Sequence, residues 1–275
     1  MPYTIITGAS AGIGYETAKG LASIGHNLIL VARNYEKLKK IRKNILAQYK
    51  IVCDIYSYDL SLIQSNIKFS NKIIEKYQDI HILINNVGAI FMDRQVTNEG
   101  LEKTFALNHM SYFTLSTLLI KKYSLIKIIN VSSEAHRYIS LKRDDFQNAK
   151  QYYGWHAYKR SKLANIYLTY KLDEIFKNTK ATFNCLHPGL VNTQFADNNS
   201  LMYKFAASII KYFGITPAEG ALTSIYLASN NDLDMATGLY FDKCKARKSS
   251  KESYDNKMSQ QLWEYSEQLL FKYLK

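Results

Sequence analysis

Tyr158 and Lys162 stand four residues apart in the stretch YKRSK. On a helix that spacing puts both side chains on one face, with Cβ atoms about 6 Å apart, so the ammonium can lower the phenol from its reference pKa of about 10. A phenol tuned in this way is a general acid near neutral pH. Upstream, KIINVSSEAH ends a strand-like run with two hydroxyls, Ser132 and Ser133. At the carboxyl edge of a parallel sheet, where such proteins bind ligands, one of them can polarise a substrate carbonyl. Alone, the tyrosine and lysine fit an exposed basic helix face better, and Lys159 and Arg160 between them read as solvated.

A second group of residues suits phosphate. TGASAGIG, residues 7 to 14, follows an apolar strand-like run and opens a helical one. Gly8, Gly12 and Gly14 permit a tight turn and close backbone approach, and a helix N-terminus offers free N–H groups to a pyrophosphate. The spacing is G-x-x-x-G-x-G, and a glycine-rich turn alone also fits a purely structural bend. At the end of the second strand, LVARNYEK carries no acid that would hold a ribose 2′-hydroxyl; Arg33 stands there, with Lys37 one helical turn on. Two cations at that place favour NADP(H) over NAD(H). An arginine capping a strand end in solvent, or paired with Glu36, is the alternative.

The elements that must position these residues alternate along the chain. Short apolar runs (YTIIT, NLILV, IVCDI, HILIN, LIKIINV, ATFNCL) are separated by helical patterns over 13–24, 35–48, 60–77, 99–121 and 155–176. Near-continuous apolar strands are expected where helices cover both faces of a parallel sheet. The pattern predicts one α/β domain over 1–275, a Rossmann-like doubly wound parallel sheet of about seven strands flanked by helices on both faces. Further helices are expected at about 200–213 and 217–229, a strand at GLYF, a surface loop over 242–256 and a C-terminal amphipathic helix at about 257–273. The last carries Leu262, Trp263, Leu269, Leu270, Tyr273 and Leu274.

Composition narrows the classes. With 275 residues, 47% hydrophobic, 21% charged and only 3 Pro, the chain can bury a core and does not read as disordered or fibrous. The formal charge of +13 suits an anionic partner. Nucleic acid is not expected, because no finger, helix-turn-helix or single-strand platform accompanies the charge. Cys53, Cys185 and Cys244 are too widely spaced for a zinc site or disulfide framework, and His109, His136, His156 and His187 read as packing or hydrogen-bonding residues. No metal is expected. With no signal-like or spanning segment visible, the sequence reads as soluble and cytoplasmic.

TGASAGIG, NNVG, NVSS, YKRSK and HPGLVNT occur in the order and approximate spacing of the short-chain dehydrogenase/reductase family, which the chain resembles over nearly its whole length. Within that family it looks most like the retinol-dehydrogenase-like branch, through VARNYEK, TNEGLEKTFALNHMSYFTLS, YKRSKLANIYLTYKL and CLHPGLVNT. The branch is commonly NADP-linked, in agreement with Arg33 and Lys37. The resemblance implies a catalytic set of Tyr158, Lys162, Ser133 and Asn108. Tyr158 would exchange a proton with the carbonyl or alcohol oxygen, Lys162 would tune it and hold the nicotinamide ribose, and Ser133 rather than Ser132 would bind the oxygen. Asn108 would position a water in a proton relay, or simply tie down a helix kink. The implied cofactor-binding set is Gly8, Ser10, Gly12, Ile13, Gly14, Arg33, Lys37, Asp59 and Leu60 near the adenine, Asn86 beside its ribose, Tyr158, Lys162, and Thr193 on the carboxamide. Pro188 and Gly189 would shape the turn beside the nicotinamide. Val87 departs from the usual NNAG and would shift the backbone slightly there.

The segment after Thr193 carries Leu201, Tyr203, Phe205, Ile209, Ile210, Tyr212 and Phe213. It reads as a lid at about 193–215 over a hydrophobic pocket, or alternatively as a buried helix pair or homodimer surface. A lipophilic aldehyde, ketone, retinoid, steroid or quinone is the expected small-molecule partner. The competing functional reading is a non-catalytic NADP-binding redox sensor, whose usual sign, loss of the tyrosine or lysine, is missing here.

Overall fold

In the computed structural model, residues 2–191 and 214–274 are described. The apolar runs form strands because neither of their faces meets water: Ile5, Ile6, Leu28, Ile29, Leu30 and Ile84 are wholly buried. The strands are β1 (Tyr3–Thr7), β2 (Asn27–Ala32), β3 (Cys53–Ser57), β4 (Ile82–Asn85), β5 (Lys127–Val131), β6 (Thr182–His187), β7 (Leu239–Asp242) and β8 (Lys245–Arg247). They make one sheet in the order β3-β2-β1-β4-β5-β6-β7-β8. All neighbours pair in parallel except β7 and β8. The order reverses between β1 and β4, and the crevice at their carboxyl ends is where such sheets bind ligands.

The helices are α1 (Gly12–Ser23), α2 (Tyr35–Leu46), α3 (Ile63–Lys76), the single turn α4 (Lys103–Phe105), α5 (Ser111–Ile120), α6 (Gly154–Ile175), α7 (Pro217–Ser229) and α8 (Asn256–Phe271). A π-helical turn, Ala106–Met110, joins α4 to α5. One face of the sheet packs on α1, α2 and α7 through Leu21, Leu38, Ile41, Ile45 and Leu227. The other packs on α3, α5, α6 and α8 through residues such as Phe69, Phe113, Leu163, Leu172 and Leu262. The expected C-terminal helix buries Leu262, Leu269 and Leu270 on α6, while Leu274 beyond its end is exposed. Among the described residues, no helix is long and apolar enough to cross a membrane.

Two local expectations are corrected. The run IVCDI enters the sheet two residues later than expected, because Val52 is held in the turn before β3 by Asn27 Oδ1 and by the Leu28 N–H. The stretch 242–256 is not a surface loop: it turns back as β8 and continues into a short 3-10 turn, Lys251–Tyr254, with Ser249, Ser250 and Ser253 buried. The reversal runs through Lys243 (φ 49°) and Cys244 (φ 60°), the two left-handed residues of a tight hairpin. Asn-Gly would announce such a turn, and Lys-Cys does not. The sheet therefore has an eighth strand. The helix expected at about 200–213 and most of the proposed lid lie outside the described residues.

Candidate active site

The glycine turn, expected to take a phosphate, is built from backbone. Gly8 (φ 67°) and Gly12 (φ 55°) take left-handed conformations that side chains disfavour. A Cβ on Gly14 would stand 2.5 Å from the Gly8 carbonyl oxygen and 2.6 Å from Asn86 Nδ2, so the turn closes only around glycine. Thr7 braces it: its hydroxyl accepts the N–H groups of Asn86 (2.8 Å) and Val87 (3.0 Å), and Asn86 Nδ2 donates to the Thr7 carbonyl (2.8 Å). Asn86, expected beside a ribose, thus also ties the end of β4 to the glycine turn. Val87 packs against the core beside it. Ser10 and Ile13 are half-buried in the turn. The α1 N-terminus has Ala11 as its cap, no side-chain capping bond and no acid in its first turn. No side chain of its own cap takes its first N–H donors, which fits a pyrophosphate.

Arg33 and Lys37 are exposed at the β2–α2 junction, and among the described residues neither is in an ion pair with Glu36. Asn34 Oδ1 caps α2 through the Lys37 N–H (2.9 Å), and Ser57 Oγ donates to the Arg33 carbonyl (2.8 Å), fixing both cations' backbone. Asp59 Oδ1 accepts from the Ser61 N–H (3.0 Å) and hydroxyl (2.8 Å), which sets the turn after β3. The Leu60 side chain is buried in the core. Thr193 lies outside the described residues. Gly189 (φ 94°) has Ile215 where a Cβ would go, so the turn after β6 packs directly on the chain entering α7.

The chemical end is interior. Lys162 is 2% exposed, and its Nζ donates to the Val131 carbonyl (3.0 Å) and lies 5.7 Å from the ring centroids of both Tyr112 and Tyr158. Burial pushes its ammonium down to about 7. Burial also holds the Tyr158 phenol well above its ordinary value, while a hydrogen bond from Ser133 pulls the other way. In this structure desolvation therefore sets the direction for Tyr158, opposite to the lowering by Lys162 that the sequence spacing suggests.

The two adjacent serines separate. Ser132 Oγ donates to the Lys162 carbonyl (2.7 Å) and is buried, fastening β5 to α6. Ser133 faces Tyr158, and its Oγ accepts the Ala135 N–H (3.2 Å) at the start of a 3-10 turn, Glu134–His136. Asn108 sits inside the π-helical turn. Its Oδ1 accepts the Ala89 N–H, and its Nδ2 donates to the Ala89 carbonyl and to Ser161 Oγ, all at 2.9 Å. Ser161 in turn donates to the Tyr158 carbonyl (2.7 Å). π-Turns recur at functional sites. Here the turn's asparagine is bonded to the segment at Gly88, beside which a Cβ would meet both Asn108 Oδ1 and Lys162 Nζ at 3.3 Å.

Arg160 corrects another expectation. It is half-buried rather than solvated, and it bonds the Ser140 carbonyl and Asn148 Oδ1, holding the 140–148 segment to α6. His136 and His187 are hydrogen-bonded at the same edge: His187 Nδ1 accepts the Glu134 N–H (3.0 Å) and His136 Nε2 the Ser250 N–H (2.9 Å). Two residues went unnoticed in the sequence. Thr7 had a readable signal, its place just before the glycine turn. Trp155, whose indole stacks on the Tyr158 ring with centroids 5.6 Å apart and planes 26° apart, had only its spacing of three from Tyr158.

The family model of the short chain dehydrogenases matches residues 3–204. Mouse retinol dehydrogenase 12 is 33% identical over 97% of this chain and 85% of its own length. Human polyprenol dehydrogenase is 33% identical over 95% and 83% respectively. Among solved structures, a putative uncharacterized protein from Mycobacterium paratuberculosis superposes with a TM-score of 0.79 at 24% identity, covering 98% of this chain and 94% of that one. A short-chain dehydrogenase from Sphingobium yanoikuyae in complex with NADPH superposes with a TM-score of 0.67 at 20% identity, covering 82% and 84%. With the glycine turn, the strand-end serine and the tyrosine–lysine helix gathered at one sheet edge, the chain belongs to the short-chain dehydrogenase family and is an oxidoreductase similar to its retinol dehydrogenases.

Proposed function

We propose that the protein interconverts a carbonyl and an alcohol on a lipophilic small molecule, using NADP(H), with Tyr158 as general acid and base. The observation that carries this reading is the meeting of Ser133 and Tyr158 side chains at the carboxyl edge of the sheet, with Lys162 one turn behind. A nicotinamide held there would supply hydride chemistry at the carbonyl carbon in either direction. Tyr158 gives its hydroxyl proton to the carbonyl oxygen as the alcohol forms, and removes it in the reverse direction. Ser133, held by the Ala135 N–H, donates to that oxygen. Lys162 puts a titratable cation beside the phenol, and Asn108 holds the Gly88–Ala89 segment against it. The uncapped α1 N-terminus would take the pyrophosphate, and Arg33 with Lys37 the 2′-phosphate. That mammalian relatives are named for retinol and polyprenol supports a lipophilic substrate.

A panel of aldehydes, ketones and quinones assayed with NADPH and NADH tests the reading. Tyr158→Phe should lower kcat by at least about 100-fold, the scale of positioned acid catalysis, while NADPH affinity stays within a factor of about two. Turnover retained in that variant refutes the proton-donor role. Arg33→Asp should cut the NADPH-over-NADH preference by about tenfold, the scale of one lost charge-assisted contact. An unchanged ratio removes the 2′-phosphate role.

A further inference from the structure

We propose that Trp155 sets substrate choice, serving as an aromatic shelf that favours a flat conjugated group, aryl or polyenyl, attached to the reacting carbonyl over a saturated one. The inference deepens the carbonyl reading above and rests on it. Trp155 opens α6 one turn before Tyr158, and a spacing of three on a helix brings the two side chains together. Their rings stack in an offset arrangement at 5.6 Å, so the indole adjoins the phenol that would protonate the carbonyl oxygen. Yet the indole is 52% exposed. An exposed tryptophan beside a buried tyrosine keeps apolar, polarisable surface for something else to cover, and aromatic rings reward a flat partner in stacked geometry.

The placement of this shelf is fixed by packing. A Cβ on Gly154 would stand 2.4 Å from the Phe91 carbonyl oxygen, so α6 abuts the 91–92 segment and Trp155 cannot slide inward along it. Tyr153, two residues before it, is also exposed, as are Tyr138 and Leu190 on the loops that follow β5 and β6. Tyr138 holds a left-handed backbone (φ 56°) that a bulky side chain adopts at a cost, and it is 89% exposed.

The chain has two tryptophans, and Trp263 packs edge-on against Phe113 under α8. In a Trp263→Phe protein the emission of Trp155 is therefore a private signal. Titration with benzamide, which resembles an aryl carbonyl but is not reduced, should change that emission saturably, and cyclohexanecarboxamide should bind about fivefold more weakly, the range of one aromatic pair. Equal binding of the two, or no saturable change with either, overturns the shelf. In turnover, Trp155→Ala should lower the ratio of kcat/KM for benzaldehyde over cyclohexanecarbaldehyde by about fivefold, while Trp155→Phe keeps most of it. A loss of equal size on both aldehydes means the indole only props Tyr158 and overturns the proposal. If the unaltered protein reduces neither aldehyde, the carbonyl reading is what fails, and the amide titration still decides the shelf.

Discussion

The two ends of the site lie on one sheet edge and handle charge in opposite ways. At the proposed phosphate end the cations Arg33 and Lys37 stay in water, and the remaining positive character comes from uncapped N–H groups of α1. Neither arrangement costs desolvation before an anion arrives. At the chemical end the cation of Lys162 is carried into the interior beside Tyr112 and Tyr158, and its ammonium is pushed down to about 7. One end is therefore always charged and waiting. The other sits at the threshold of losing its proton, which suits a site that moves one. The contrast extends to the helices: α3 follows β3 in the same sheet as α1 follows β1, yet its first N–H groups, Ile63 and Gln64, are taken by the Glu99 carboxylate at 2.6 and 3.0 Å. The same backbone donors are sealed in one helix and left open in the other.

The largest effect expected is on stability, and it tests the buried cation. Lys162 has a folded pKa of about 7 against an unfolded value near 10.4, so below about 7 both states are charged and the fold bears the full cost of burial. Between those values the unfolded chain binds more protons, and stability rises with pH; above them the contribution is flat. Lys162→Met removes that slope. Its melting temperature relative to the parent should be highest near pH 6 and should fall by pH 10, by an amount on the order of a few kcal/mol in free energy. A difference that does not change across that range shows that the lysine is not desolvated as described. Next in size is Ala11→Asp, which seals α1 as Glu99 seals α3. NADPH affinity should fall about 100-fold, from like-charge repulsion and loss of free donors, while Tm holds or rises because aspartate is a favourable N-cap. Calorimetric titration and thermal melting check the two signs, and a fall in both denies that the α1 end is left open for an anion.

Much of this contrast was readable in the sequence, and what escaped did so for physical reasons. The strands, the glycine turn and the tyrosine–lysine pair were legible because each depends on local rules: continuous apolar runs, positive φ, and a spacing of four on a helix. The division of labour between Ser132 and Ser133 was less so, since two identical hydroxyls differ only in which element each faces: one is tied to the Lys162 carbonyl and the other turns to Tyr158. The sign of the Tyr158 shift was not legible at all. Spacing reveals the neighbouring cation, but burial of both groups is a tertiary property. Arg160 reads as a surface residue until the 140–148 segment folds over it. Likewise β8 hides in a polar stretch because its turn uses Lys243 and Cys244 in conformations usually announced by asparagine and glycine.

The smallest expected effect examines the sealed helix. Glu99→Gln keeps an acceptor for one N–H of α3 but removes the charge that suits a helix N-terminus. The expected loss is about 1 kcal/mol, or roughly 2–4 °C in Tm for a chain of this size. NADPH affinity should not move, because Glu99 closes a helix end outside the proposed cofactor site. Equal losses of nucleotide affinity in Glu99→Gln and Ala11→Asp collapse the distinction between the two ends. A small thermal loss with unchanged affinity, set beside the opposite pattern for Ala11→Asp, leaves an own carboxylate on one helix and a foreign phosphate on the other as two answers to the same unsatisfied N–H groups.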